Sequence, residues 1–145
     1  MTATRLEFFA LEDLPMVQHG DDVAALIIAS LESIGARLDK QDVVIIAQKI
    51  VSKAEGRLFV LDDVKVGAEA AKLAEETEKD PRVVELILQE SQSIVRSRPG
   101  LIIAEHRLGF IMANAGIDMS NTGGPSGKDC ALLLPLDSDV SAGAI

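Results

Sequence analysis

Residues 100–115 read GLIIAEHRLGFIMANA, and their reading decides the fold class. Two apolar runs rich in Ile, Leu and Phe flank a short polar break, so they form two strands joined by a tight turn near Arg107. Helical patterns surround this pair without a regular strand–helix–strand rhythm. The chain is therefore expected to be α+β, a mixed sheet with helices, and not doubly wound.

Outward from this hairpin the expected elements fall in order. RLEFFAL (5–11) reads as a strand, and Asp21 or Asp22 caps a helix running to about Ser33, closed by Gly35. DVVIIAQ (42–48) is a continuous apolar, β-branched run, the pattern of a strand buried on both faces. LFVL is a short strand and VGAEAAKLAEETEK a helix. DPRVVELILQESQSI is a second helix, with Asp80 as cap and Pro81 in its first turn. CALLLP is the last strand. Asp137 or Ser138 then caps a helix with only about two turns of chain behind it, which suggests one part of a longer polypeptide, although a frayed C-terminus fits the same residues.

Composition narrows the function. The 145 residues suffice for one core, and 48% hydrophobic content predicts that they fold. Aromatics are 3% and net charge is −9, which argues against nucleic acid, whose recognition needs stacking rings and basic surface. Cys130 is the single cysteine and sits in an apolar run, so it reads as a buried thiol. No run approaches the roughly 20 apolar residues of a membrane span. The N-terminus resembles no signal peptide, so a cytoplasmic protein is expected.

Three stretches could carry chemistry. The loop after the hairpin, NAGIDMSNTGG (114–124), holds Asp118, a hard oxygen donor suited to Mg²⁺ or Mn²⁺, with Asn114 and Asn121 beside it. An ordinary solvated Asn/Gly loop fits the same residues. In AQKIVSKAEGR, Lys49 and Lys53 lie four apart, on one face if the stretch is helical, and suit phosphate oxygens; two solvated lysines fit equally well. It is not a P-loop, because the glycine-rich turn is missing. In LPMVQHGDD, Pro15 fixes an extended backbone whose free polar groups could line a base pocket or simply lead into the helix cap. His19, His106 and Cys130 lack zinc spacing.

Taken together, LPMVQHGDD, VVIIAQKIVSKAEGR, LAEETEKDPRVVELILQES, EHRLGFIMANAGIDMSN and LLLPLDSDVSA resemble the coenzyme F420-0:γ-glutamyl ligase family, F420 being a deazaflavin redox cofactor. The resemblance covers nearly the whole chain and implies residues 1–145 are the N-terminal portion of a larger ligase-like fold whose C-terminal remainder is absent. It implies a GTP-dependent amide ligase that joins L-glutamate to coenzyme F420-0 through an acyl-phosphate and then adds γ-linked glutamates. GTP would be a substrate, a divalent Mg²⁺ or Mn²⁺ would assist, with room for a monovalent cation, and the protein would be a homodimer. By resemblance, Leu14, Pro15, Met16 and Val17 line the guanine nucleotide site. Gln48 and Lys49 contact the nucleotide, Lys53 its phosphates, and Asn121 the nucleotide again, while Asp118 is a metal ligand. Family members continue into a second segment carrying further acidic ligands, so this chain alone is expected to be inactive, or to be a non-catalytic nucleotide-binding or assembly module.

Overall fold

A computed structural model describes residues 6–120 and 129–145. Helix α1 (Val23–Ser33) starts where Asp22 accepts a hydrogen bond from the Ala25 amide at 2.9 Å. Gly35, at φ +68, lets the chain turn away after it. Helix α2 (Gln48–Ala54) leads into strand β1 (Leu58–Val60). Helices α3 (Ala68–Thr77) and α4 (Pro81–Gln89) follow, the latter capped by Asp80 with Pro81 in its first turn. Strands β2 (Ser91–Arg98), β3 (Leu101–His106) and β4 (Ile111–Ala113) form one sheet; β1 and β5 (Cys130–Leu132) form another. Helix α5 (Ser138–Ala144) starts where Asp137 accepts from the Asp139 and Val140 amides.

The α+β class is borne out, and every strand pairing among the described residues is antiparallel, which refines the mixed sheet expected. The amphipathic α4 buries Val83, Val84, Leu86 and Ile87 with Ala70 and Ala74 of α3. They meet Ile102 and Ala104, alternate residues on one face of β3, together with Ala131 and Leu133. A smaller cluster joins Val23, Ile27 and Leu31 of α1 to Ile46, Ile50 and Ala54. Cys130 is buried as expected.

Three expectations fail. Residues 6–11 and 43–47 form no strand and pair with none among the described residues, and Val43 and Ile45 are exposed rather than buried on both faces. Their apolar patterns are strand-like; no sheet edge of the described chain lies opposite. Helix α4 ends at Gln89, not Ile94, and SQSIVRSR becomes β2. That strand is polar and mostly exposed, so it lacks the alternation that marks a strand in sequence. It is held by β3, through a register with two irregularities, and by the Pro99–Gly100 turn, where Gly100 takes φ +78.

Candidate functional site

Strand β4 does not run straight on into the loop. Asn114, Ala115 and Gly116 all adopt positive φ, at 51, 50 and 75°. A left-handed alanine costs roughly 1–2 kcal/mol, and Ala115 is almost fully buried, so the surrounding packing holds it there. Gly116 is needed twice over: beside its φ, a Cβ there would lie 2.7 Å from Leu134 Cδ1 and 2.9 Å from Met112 Sδ. The Asn114 side-chain oxygen is buried without a hydrogen-bond partner among the described residues. This turn redirects the chain so that Asp118 pairs with Leu132, through N–H···O bonds of 2.9 and 2.8 Å, on the side of β5 away from β1.

That backbone pairing presents the Asp118 carboxylate to α2. Lys49 Nζ lies 2.8 Å from Asp118 Oδ2 and donates to the Ser120 carbonyl at 2.9 Å. Asp118 Oδ1 accepts from both the amide and the hydroxyl of Ser120, each at 2.7 Å. The Lys49 hydrogen bond first, and the two Ser120 donors after it, hold the Asp118 carboxyl down at about 2. Both side chains of the pair stay about one-third accessible, so a ligand can reach them. Ser120 was visible in the sequence only as a hydroxyl two residues after an aspartate, the spacing of an Asx turn.

Lys53 sits one helical turn beyond Lys49 on α2, on the same face and half-buried. Gln48 donates to Ser52 Oγ at 2.5 Å and reaches the Leu133 carbonyl at 3.5 Å, so it braces α2 against β5. Asn121 lies outside the described residues. Leu14, Pro15, Met16 and Val17 form an irregular strap, with Pro15 and Met16 exposed. The strap is tied to the far end of α2: the Gly20 amide donates to the Ala54 carbonyl at 2.8 Å, and the His19 ring lies over Gly56. Lys49 and Asp118 are thus in contact, while the strap reaches α2 at its other end.

A buried charge cluster that no sequence motif marked ties α4, the 106–107 turn and residues 134–136 together. Glu90, at the end of α4, is buried beside Arg57, Arg107 and His106. Arg57 Nη2 lies 2.7 Å from Glu90 Oε2 but off the hydrogen-bonding direction, an ion pair more than a directed bond. Arg57 Nε donates to the Leu134 carbonyl at 2.8 Å, and Arg107 spans Glu90 and the carbonyls of Pro135 and Leu136. His106 stacks on Phe110 and accepts from the Leu108 amide at Nδ1. Burial pushes its pKa below the usual value against the pull of Glu90. The four residues come from three separate stretches, and no local spacing links them.

The arrangement can present an ammonium and a carboxylate together, the pairing needed near phosphate oxygens and a hard cation. Among the described residues, no three His, Cys, Asp or Glu side chains gather as a metal site. Asp118 offers one carboxylate to an ion that takes about six oxygens. The described residues fit one ligand position of such a site and do not complete it. Also among them, no helix is long and apolar enough to cross a membrane.

Comparison with known proteins gives a consistent result. The profile of the family described as F420-0:Gamma-glutamyl ligase matches residues 12–145. The chain is 44% identical over 137 residues to the coenzyme F420:L-glutamate ligase of Methanothermobacter thermautotrophicus, covering 94% of this chain and 53% of that one. It is 48% identical over 135 residues to that of Methanopyrus kandleri (91% and 50%) and 39% identical over 146 to that of Halorubrum lacusprofundi (97% and 54%). The chain spans about half the length of these relatives.

Proposed function

This chain belongs to the F420-0:gamma-glutamyl ligase family, and on that premise we propose that it is the nucleotide-binding portion of a GTP-dependent ligase that adds L-glutamate to coenzyme F420-0. The Lys49–Asp118 contact at 2.8 Å carries the reading, because it joins a phosphate-seeking ammonium to a metal-seeking carboxylate.

In the proposed reaction the acceptor carboxylate attacks the γ-phosphorus of GTP. The bond from that phosphorus to the bridging oxygen breaks, and GDP leaves. The glutamate amine then attacks the acyl carbon, loses a proton and expels inorganic phosphate, leaving an amide; repetition adds γ-linked glutamates. Lys49, swung from Asp118, donates to a phosphate oxygen, and Lys53 adds positive charge one turn away. Leu14 to Val17 line the guanine, and Asn121 and Gln48 supply amides. Asp118 provides one ligand to Mg²⁺ or Mn²⁺, which when bound neutralises phosphate charge. We place this chemistry in a cytoplasmic homodimer.

With one carboxylate in the site and half the relatives' length, the 145 residues by themselves bind nucleotide without completing ligation. The test is mass spectrometry of the deazaflavin precursor after incubation with GTP, L-glutamate and Mg²⁺ or Mn²⁺. The Methanothermobacter relative should yield glutamylated product and this chain none. Turnover by this chain at the relative's rate would refute the half-site reading.

A further inference from the structure

The oxygens around Lys49 are placed as a cation needs them. Its ammonium lies 2.8 Å from Asp118 Oδ2 and donates to the Ser120 carbonyl at 2.9 Å, so one nitrogen sits between a carboxylate and a peptide oxygen. Both are hard donors of the kind that Mg²⁺ and Mn²⁺ take. Their positions are set locally. Asp118 is paired through its backbone with Leu132, and its Oδ1 accepts from the Ser120 amide and hydroxyl, each at 2.7 Å. Those two donors occupy Oδ1 and leave Oδ2 for a cation, and Lys49 covers it. Lys49 can leave without disturbing this frame, because its side chain is one-third exposed on a flexible four-carbon stem. Lys53 carries the same charge one turn away but is not the lysine paired with Asp118.

We infer that the Lys49 ammonium stands in the cation position of the site, so that Asp118 Oδ2 and the Ser120 carbonyl are two ligands of the divalent ion, which binds only as Lys49 swings out. This rests on the metal–nucleotide reading above and adds to it a second oxygen ligand and a coupling. A divalent ion and an ammonium cannot both sit in contact with these two oxygens, because like charges at that distance repel strongly. The lysine released from them is the one that meets a phosphate oxygen. Each ligand thus removes the other's competitor: the metal frees Lys49 for phosphate, and phosphate draws Lys49 off the oxygens. Metal and phosphate therefore bind cooperatively through this one side chain.

The test needs no turnover. Mn²⁺ is titrated into the chain without nucleotide, its uptake read from water-proton relaxation. Lys49→Met keeps the length of the side chain and removes the ammonium, so it should bind Mn²⁺ at least about fivefold more tightly than the unsubstituted chain, equivalent to about 1 kcal/mol. Lys53→Met should change the affinity less than about twofold, since a solvated charge a turn away is screened. In the unsubstituted, isotope-labelled chain, Mg²⁺ should shift the Ser120 carbonyl and Asp118 carboxyl carbons together and move the Lys49 Nζ resonance to that of a solvated lysine. Equal gains from the two lysine substitutions would overturn the inference, because charge alone would then explain them. So would a Lys49 or Ser120 signal that stays fixed as Mg²⁺ is added, or a Lys49→Met chain that takes up no Mn²⁺. GTP titration of the unsubstituted chain separates the two claims. If Mn²⁺ still strengthens GTP binding after such a failure, the nucleotide reading stands and only the Lys49 exchange is refuted; if GTP does not bind, both fall.

Discussion

Replacing Glu90 by Gln should be among the most destabilising single changes in this chain. Its side chain is 9% exposed and sits 2.7 Å from the Arg57 guanidinium, itself 10% exposed, with Arg107 Nε at 3.2 Å. At an effective dielectric of about 20, unit charges some 4 Å apart attract by about 4 kcal/mol. Gln keeps the shape and can still accept from either arginine, but it leaves the buried Arg57 charge uncompensated. Removing one partner of a buried pair costs about 3–5 kcal/mol, and the retained acceptor puts this case near 3. For a chain of this size each kcal/mol moves the melting temperature by about 2–4 °C, so a fall of roughly 6–12 °C is expected. Arg57→Met should cost a similar amount. The double variant should be less destabilised than the sum of the two, with a coupling above about 1 kcal/mol. Calorimetry and urea unfolding measure both. A loss below about 1 kcal/mol for Glu90→Gln, or strict additivity, would refute the view that this cluster holds α4, the 106–107 turn and residues 134–136 together.

Other outcomes follow from the same geometry. His106 has a folded pKa below its usual 6.5, so its contribution is complete above about 6.5 and is lost as pH falls below it, by at most about 1.4 kcal/mol per pH unit; His106→Gln should flatten that limb in urea titrations. Asp118, held at about 2 against an ordinary 3.8, contributes stability that is present above 3.8 and lost between 3.8 and about 2, a second acid limb that Lys49→Met should diminish. Gly56→Ala should cost about 1–2 kcal/mol, since φ is +71 and the new Cβ would meet the His19 ring at 2.8 Å; faster exchange of the Gly20 amide would report release of the strap. Asp118→Asn should leave thermal unfolding within about 1 kcal/mol, because the pair is partly exposed and Asn still accepts from Ser120, while metal-dependent nucleotide affinity falls; calorimetric titration checks the second part.

Where local chemistry decides, the sequence was legible. Asp22 and Asp80 cap their helices, Pro81 starts α4, and the two apolar runs around Arg107 pair as a hairpin. Where partners decide, it was not. SQSIVRSR has no apolar face of its own and becomes a strand only because β3 lies beside it. VVII carries a strand's pattern but finds no edge to join among the described residues. At the site, the Lys49–Asp118 contact joins residues suggested separately, whereas the Glu90 cluster links distant stretches by tertiary packing alone. The three positive φ values at 114–116 were foreshadowed only by Asn114 and Gly116; nothing marks Ala115 for that conformation.

The central claim, that Lys49 and Asp118 form the phosphate–metal corner of a GTP site, is tested most directly by titrating GTP into this chain with and without Mn²⁺. GTP should bind, and Mn²⁺ should strengthen that binding at least about tenfold, equivalent to about 1.4 kcal/mol. Lys49→Ala should weaken binding under both conditions, while Asp118→Asn should remove the Mn²⁺ enhancement alone. Binding of GTP that is indifferent to Mn²⁺ and to both substitutions, or no binding at all, would contradict it.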